Sequence, residues 1–197
     1  FKVLLFRYTQ QPDIVVGTPV ANRMNPNLTP LIGYFVNTLV LRNQLHSKMS
    51  FNEIVSAVKT TTLKAYDNQD VPFGMLVNRI ATTRDSGHHP LFNIMFTYEY
   101  DRDNSAMQLG AAQMSLEIAE YTISKFDLTL TASETATGLE LIFQYSKDLF
   151  LPATIARIAN QYISLLHSAI ANPDLSLAAL QMLPQGDETE LIKRFDR

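Results

Sequence analysis

The 197-residue chain contains no cysteine. Disulfides, thiolate zinc sites and cysteine nucleophiles are therefore excluded together, and the absence fits a reducing, cytoplasmic setting. Long apolar runs are scarce as well. The longest, Ile32 to Leu41, is broken by Gly33, Asn37 and Thr38 and is about half of what a bilayer span requires, so no membrane contact is expected. Basic runs are missing too. Sixteen Lys and Arg are scattered among nineteen Asp and Glu, without the basic-aromatic interleaving that neutralises phosphate backbones, so nucleic acid is not an expected partner. Phe1 to Phe6 runs straight into Arg7-Tyr8 with no small-residue cleavage site, and no secretory signal is read there. Asn27-Leu28-Thr29 matches a glycosylation acceptor only by chance in that setting. A first residue other than methionine, set inside an apolar segment, suggests a piece of a longer protein.

What is present describes a folded domain. Apolar residues make up 46% and charged residues 18%, ordinary values for a packed core and far from the signature of disorder. Residues 1 to 8 read as the last turns of a helix, and Asp13 to Val20 as a β-branched strand, with Gly17 and Pro19 suggesting a bulge or edge near its end. A loop rich in proline and asparagine follows, and Ile32 to Leu45 reads as one long strand. Ser50-Phe51-Asn52-Glu53 is a capping box, opening a helix whose stripe of Phe51, Ile54, Val55, Val58, Thr62 and Tyr66 is expected to face the core. Pro72 opens a shorter helix carrying Phe73, Leu76, Val77 and Ile80. Leu91 to Tyr98, Ser115 to Tyr121, Phe126 to Ser133 and Leu139 to Tyr145 read as strands, the last two as a hairpin. The helix from Pro152 places Ile155, Ile158, Tyr162, Leu165, Leu166 and Ile170 on one face and stops at Asn172-Pro173. Helices and strands mixed in this order predict an α/β fold, a two-layer sandwich of mixed β-sheet and helices. Residues 1–183 form the expected domain, and 184–197 a linker.

His88-His89 is the only adjacent histidine pair. Neighbours point to opposite faces of a strand and sit about 100° apart on a helix, so a pair without HExxH spacing makes a poor metal site. As a base, either would need a serine partner and an orienting carboxylate. A turn role is the expectation. Asn68-Gln69-Asp70-Val71 is expected to cap the helix that starts at Pro72. Asn37 and Thr38 interrupt an apolar strand, where an amide must find partners, face an open cleft, or sit at a strand end in solvent. Arg84-Asp85 has the makings of a local ion pair fixing a turn.

Three segments, in this order, resemble motifs of the condensation domains of nonribosomal peptide synthetases. Ile32-Gly33-Tyr34-Phe35-Val36-Asn37-Thr38 through Arg42 resembles the family's IGxFVNT segment followed by arginine. Asn68 to Phe73 resembles NQDVPFE, with Gly74 in place of glutamate. Arg84-Asp85 and Pro90-Leu91 resemble RDxSRNPL, with Gly87, His88 and His89 where Ser, Arg and Asn are usual. Asp13 to Arg23, Lys125 to Leu128, Asp148 to Phe150 and Glu190 to Asp196 add supporting matches, the last similar to the start of a linker into an adenylation domain.

The resemblance implies a chloramphenicol acetyltransferase-like fold with two α/β halves around a tunnel. Donor and acceptor peptidyl carrier proteins bring phosphopantetheine thioesters to it, and an amide forms between their substrates. The signature HHxxxDG belongs to the N-terminal half of that family. Here His88-His89 is followed by Pro-Leu-Phe-Asn-Ile and lies downstream of segments that follow the true motif. The resemblance is therefore to a C-terminal half, with no catalytic residue of its own, no metal, and no cofactor bound directly. Its implied partners are the N-terminal half of the same domain, the two carriers and an adjacent adenylation domain. Asn37, with Tyr34 and Thr38, is implied as substrate-binding or tunnel-lining, while Arg42, Gln69, Asp70, Arg84 and Asp85 hold loops around the tunnel. The loop Gly17 to Leu31 is expected in the tunnel floor, and the hairpin Phe126 to Tyr145 is expected to reach across to the other half. A noncatalytic module that recruits other proteins, or an ester-forming or epimerising relative, would share much of this pattern.

Overall fold

A computed structural model describes residues 1–80, 89–100, 107–109, 112–114, 123–135 and 138–183. Its centre is a mixed five-stranded sheet. Strands β1 (Asp13–Val20), β2 (Asn37–Gln44), β3 (Ile94–Glu99), β6 (Leu128–Thr135) and β7 (Gly138–Tyr145) lie in the order β2-β1-β3-β6-β7. β1, β3 and β6 run parallel, and β2 and β7 close the two edges antiparallel. A separate two-stranded hairpin, β4 (Met107–Leu109) with β5 (Ala112–Met114), stands outside this sheet.

Strand alternation divides the sheet into two faces. Ile14, Val16, Leu128 and Leu130 point to one side, where they form a single buried cluster with helices α1 (Lys2–Thr9) and α4 (Pro152–Ala171) and with Ile54 of α2 (Phe51–Asp67). At about 1.5–3 kcal/mol for each large apolar side chain removed from water, this cluster is the main source of stability. The C-terminal segment is drawn onto it by Arg7, whose guanidinium donates to the carbonyls of Leu177 and Leu180 at 2.8 Å. The buried stripe of α4 is Ile155, Ile158, Tyr162, Leu165 and Ala169; Ile170, expected on that face, is 74% exposed. Ala169 takes the inward position, one residue earlier in the helical turn.

Several boundaries differ from expectation. β2 begins only at Asn37, and Ile32 to Val36 remain outside the strand, with Ile32 and Tyr34 almost fully exposed. The apolar run was long because loop and strand are both apolar, which composition alone does not separate. Gly17 marks neither a bulge nor an edge, since β1 pairs with β2 residue for residue from Asp13–Gln44 to Val20–Asn37. A Cβ there would fall 2.2 Å from the Phe92 ring, so glycine serves the close approach of an aromatic side chain. The hairpin of β6 and β7 does not stand off as an arm. β6 is paired with β3 along six consecutive residues and so belongs to the sheet itself. Ser115 to Tyr121 lies outside the described residues.

The helical stripes also fall differently. Ser50 and Glu53 form both halves of the capping box on α2, with Glu53 N–H donating to Ser50 Oγ at 3.2 Å and Ser50 N–H to the Glu53 carboxylate at 2.7 Å. Of the expected core stripe Ile54 is buried, Phe51 and Val58 are half-buried against the core cluster and Thr62 is half-buried, while Val55 and Tyr66 are 48% and 44% exposed. No residue of α3 (Phe73–Ile80) is fully buried, and Phe73, Leu76 and Val77 are half-buried.

Candidate functional site at the end of the sheet

The parallel strands β1, β3 and β6 end on one side of the molecule, where β2 begins at Asn37 opposite Val20. In open α/β sheets this carboxyl end is where connecting loops gather and ligands bind. Two segments meet there: the connection from β1 to β2, and the turn from α2 to α3.

Asn37 joins them. Its Nδ2 donates to the carbonyls of Gln69 at 2.7 Å and Val71 at 2.8 Å, and its Oδ1 accepts from the N–H of Phe73 at 3.0 Å. An amide has two donor hydrogens and an acceptor oxygen, so both donors and one lone pair are committed to the turn. The capping acceptor for the start of α3 therefore comes from 36 residues upstream, and not from Asn68 or Asp70 as expected. Asn68 instead donates through Nδ2 to Lys64 at 2.8 Å, satisfying a carbonyl of α2. Gln69, 9% exposed, donates to the Tyr66 carbonyl at 3.0 Å and lies 3.2 Å from Met24 Sδ, a weak acceptor in the first connection. Asp70 is exposed, and Thr38 is half-buried opposite Pro19.

The β1–β2 connection has its own organiser, which sequence reasoning passed over. Arg23 lies 4.3 Å above the Phe35 ring and donates to the carbonyls of Leu28 and Leu31, the latter at 2.9 Å. A guanidinium that binds two carbonyls and an aromatic face holds a loop without any packed core beneath it. The only signal in the sequence is an arginine just before a proline-rich stretch. Around this frame the side chains of Met24, Ile32, Tyr34, Val71 and Met75 remain largely exposed, giving the end of the sheet an apolar rim.

Arg42 does not belong to this cluster. It forms a two-pronged ion pair with Asp13, Nε to Oδ1 at 2.9 Å and Nη2 to Oδ2 at 2.7 Å, at the opposite end of the β1–β2 ribbon. Five residues of strand place it roughly 16 Å from Asn37. The guanidinium holds the Asp13 carboxyl below its ordinary range.

Arg84, Asp85 and His88 lie outside the described residues. His89 is packed among rings: Phe92 at 4.3 Å between centroids, Phe126 at 5.2 Å and Phe73 at 5.3 Å. Burial pushes its pKa down, against a hydrogen bond with the Phe92 backbone, and Nδ1 is buried without a partner among the described residues. A neutral imidazole enclosed by phenyl rings is a packing element. Through Phe92 it also rests on Gly17, so His89 ties the β3 approach to β1 and to the first residue of α3.

The arrangement therefore defines a class before a family: a chloramphenicol acetyltransferase-like mixed sheet whose carboxyl end is shaped by hydrogen-bonded loops. The chain belongs to the condensation-domain family, whose model matches residues 1–192. Over 98% of its length it is 42% identical to bacitracin synthase 3 of Bacillus licheniformis, of which it spans 3%. The condensation domain of the monacolin K polyketide synthase MokA matches with a TM-score of 0.78 and 28% identity, over 89% of this chain and 41% of that one. The X-domain of teicoplanin biosynthesis, solved in complex with OxyB, matches in fold with a TM-score of 0.82 at 24% identity, over 93% of this chain and 41% of that one.

Proposed function

We propose that these residues form the C-terminal half of a condensation domain in a nonribosomal peptide synthetase, and that their parent joins two carrier-bound substrates through an amide bond. The acceptor amine attacks the donor thioester carbonyl. The carbon–sulfur bond breaks, the amine proton is lost, and the pantetheine thiol of the donor carrier is released. The observation that carries this reading is the family match over residues 1–192, in which the two best-matching motif segments prove to be one hydrogen-bonded unit through Asn37.

In this reading the half contributes positioning, a large share of rate enhancement in reactions between tethered substrates. Tyr34 and Thr38 line the passage. Asn37 shapes it, by fixing the turn of Gln69 to Phe73, and the loop after β1 lies along its floor. The phosphopantetheine arms belong to donor and acceptor carriers, an adenylation domain follows, and the general base resides in the N-terminal half. The test is to supply the parent synthetase with loaded carriers and look for dipeptidyl carrier by mass spectrometry. Product is expected from the parent and none from the 197 residues alone. Turnover by this chain alone, lost on His88→Ala or His89→Ala, would overturn the assignment.

A second reading rests on the X-domain likeness. A domain of the same fold is found bound to another protein, so recruitment is an alternative use of it. A parent that binds a partner protein but yields no dipeptidyl carrier would favour that use.

A further inference from the structure

One face of β2 carries an amide at each end. Alternate residues of a strand share a face, so Asn37, Leu39, Leu41 and Asn43 lie together, and Asn43 Nδ2 donates across to Thr61 Oγ1 of α2 at 2.9 Å. The acceptor of the Asn43 amide is committed as well. Its Oδ1 accepts from Lys2 Nζ of α1, which also donates to the Leu41 carbonyl at 2.8 Å. Three elements, α1, β2 and α2, therefore meet in one chain of hydrogen bonds. It lies away from water, with Asn43 7% and Lys2 9% exposed. Among the described residues no carboxylate pairs with Lys2, and burial pushes its pKa down to about 8.

Such a node is a poor source of stability. Desolvating an ammonium and an amide offsets most of what their hydrogen bonds return, and apolar side chains of similar volume do as well or better in a core. What the node supplies is direction. Apolar contact is non-directional and survives a small slide, whereas a slip of one residue shifts a helix by about 1.5 Å and turns it by about 100°, which takes Thr61 away from Asn43. Thr61 lies less than two turns before the end of α2 at Asp67, and the turn of Gln69 to Phe73 follows directly. That turn is held by Asn37, roughly 20 Å along the strand from Asn43. α2 and its turn are thus fixed to β2 at two points. We propose that Asn43, Thr61 and Lys2 are positioning residues that set the register of α2 on β2 and so seat the turn of Gln69 to Phe73 on Asn37. Their effect on amide formation rests on the proposed function, whereas the coupling of the node to the turn does not.

The experiment compares Thr61→Val, which keeps the shape without the hydroxyl, with Thr61→Ser, which keeps the hydroxyl, in the full-length parent. Amide hydrogen exchange is read residue by residue in the mass spectrometer. The Phe73 N–H, held by Asn37 Oδ1 at 3.0 Å, reports whether the turn is seated. Thr61→Val is expected to speed its exchange by about 3- to 10-fold, with the amides of β6 unchanged and Thr61→Ser like wild type. Unchanged exchange at Phe73 denies the coupling, and an acceleration shared equally by β6 is ordinary loss of stability; either result overturns the proposal. A second variant combines Lys2→Met, Asn43→Leu and Thr61→Val, making the node apolar throughout. Stability in urea equal to wild type with faster Phe73 exchange is expected, and equal stability with wild-type exchange overturns the proposal. In the dipeptidyl carrier assay Thr61→Val slows a single turnover by about 3- to 10-fold and Thr61→Ser does not. An undiminished rate beside faster Phe73 exchange would overturn the positioning role. No dipeptidyl carrier from the wild-type parent would count against the proposed function alone, and the exchange comparison then decides the node.

Discussion

Replacing Asn37 is the sharpest test of how the site is held. Asn37→Ala removes three hydrogen bonds, to the Gln69 and Val71 carbonyls and from the Phe73 N–H. A typical bond contributes about 0.5–1.5 kcal/mol net; with the Val71 bond exposed and therefore at the low end, the loss is about 2–3 kcal/mol, or roughly 30- to 150-fold in the unfolding equilibrium. Asn37→Asp has nearly the same shape and keeps an acceptor for Phe73. It nevertheless turns a carboxylate oxygen toward two carbonyl oxygens, where the native donor makes bonds of 2.7 and 2.8 Å. The aspartate is therefore at least as damaging as alanine at neutral pH. Repulsion from the carbonyls raises its pKa in the folded state, so the folded state binds the proton more tightly than the unfolded one. The deficit of Asn37→Asp then shrinks as pH falls through that raised value toward the ordinary aspartate value of about 4. The assay is urea unfolding of the intact condensation domain between about pH 4 and 8. An aspartate variant as stable as wild type at neutral pH, or an alanine variant within about 0.5 kcal/mol of it, would refute the clamp.

Three further substitutions probe the frame. Gly17→Ala forces the Phe92 ring away from β1, and a cost of about 1–3 kcal/mol is expected in thermal unfolding, since the native backbone leaves no room for a methyl group. Ser50→Ala removes one half of the capping box and is expected to cost about 1 kcal/mol by denaturant unfolding, whereas Glu53→Gln, which keeps a side-chain acceptor, costs less. His89→Phe removes a buried nitrogen with no partner among the described residues but also the hydrogen bond with the Phe92 backbone, so stability within about 1 kcal/mol of wild type is expected at neutral pH. Because burial lowers the histidine pKa in the fold, the unfolded chain takes up the proton first. Wild type therefore loses stability as pH falls from about 6.5 through the depressed value, and His89→Phe lacks that part of the pH dependence.

Much of the fold could be read directly, for reasons visible in particular residues. α2 and α4 carry strong local punctuation, a capping box and a leading proline, and their boundaries follow from it. The start of β2 does not. Tyr34 and Val36 are as β-prone as Val40 and Leu41, yet the first group lies in a loop that Arg23 holds through Phe35 and nearby carbonyls. Arg42 is the same lesson in reverse. Its place in the motif put it beside Asn37 in the sequence, but strand geometry carries it to the far end of the ribbon, onto Asp13. The α2 stripe is legible as apolar periodicity but its partial burial is not, because periodicity records which face avoids water and is silent about what covers it.

The clamp also explains why two motif segments 32 residues apart behave as one site. Every partner of the Asn37 side chain is a main-chain atom, the carbonyls of Gln69 and Val71 and the N–H of Phe73. No side-chain exchange within the turn can therefore replace what asparagine supplies, since the turn offers the same backbone groups whatever its residues. Gln69 holds its own segment, donating to the Tyr66 carbonyl three residues upstream, and meets the β1–β2 connection at the Met24 sulfur. Each segment uses one amide side chain to hold backbone, and the surface they create together is left to the apolar rim of Ile32, Tyr34, Val71 and Met75. Polar residues that look catalytic in a one-dimensional pattern are thereby spent on shape. What they leave facing outward is apolar side-chain surface.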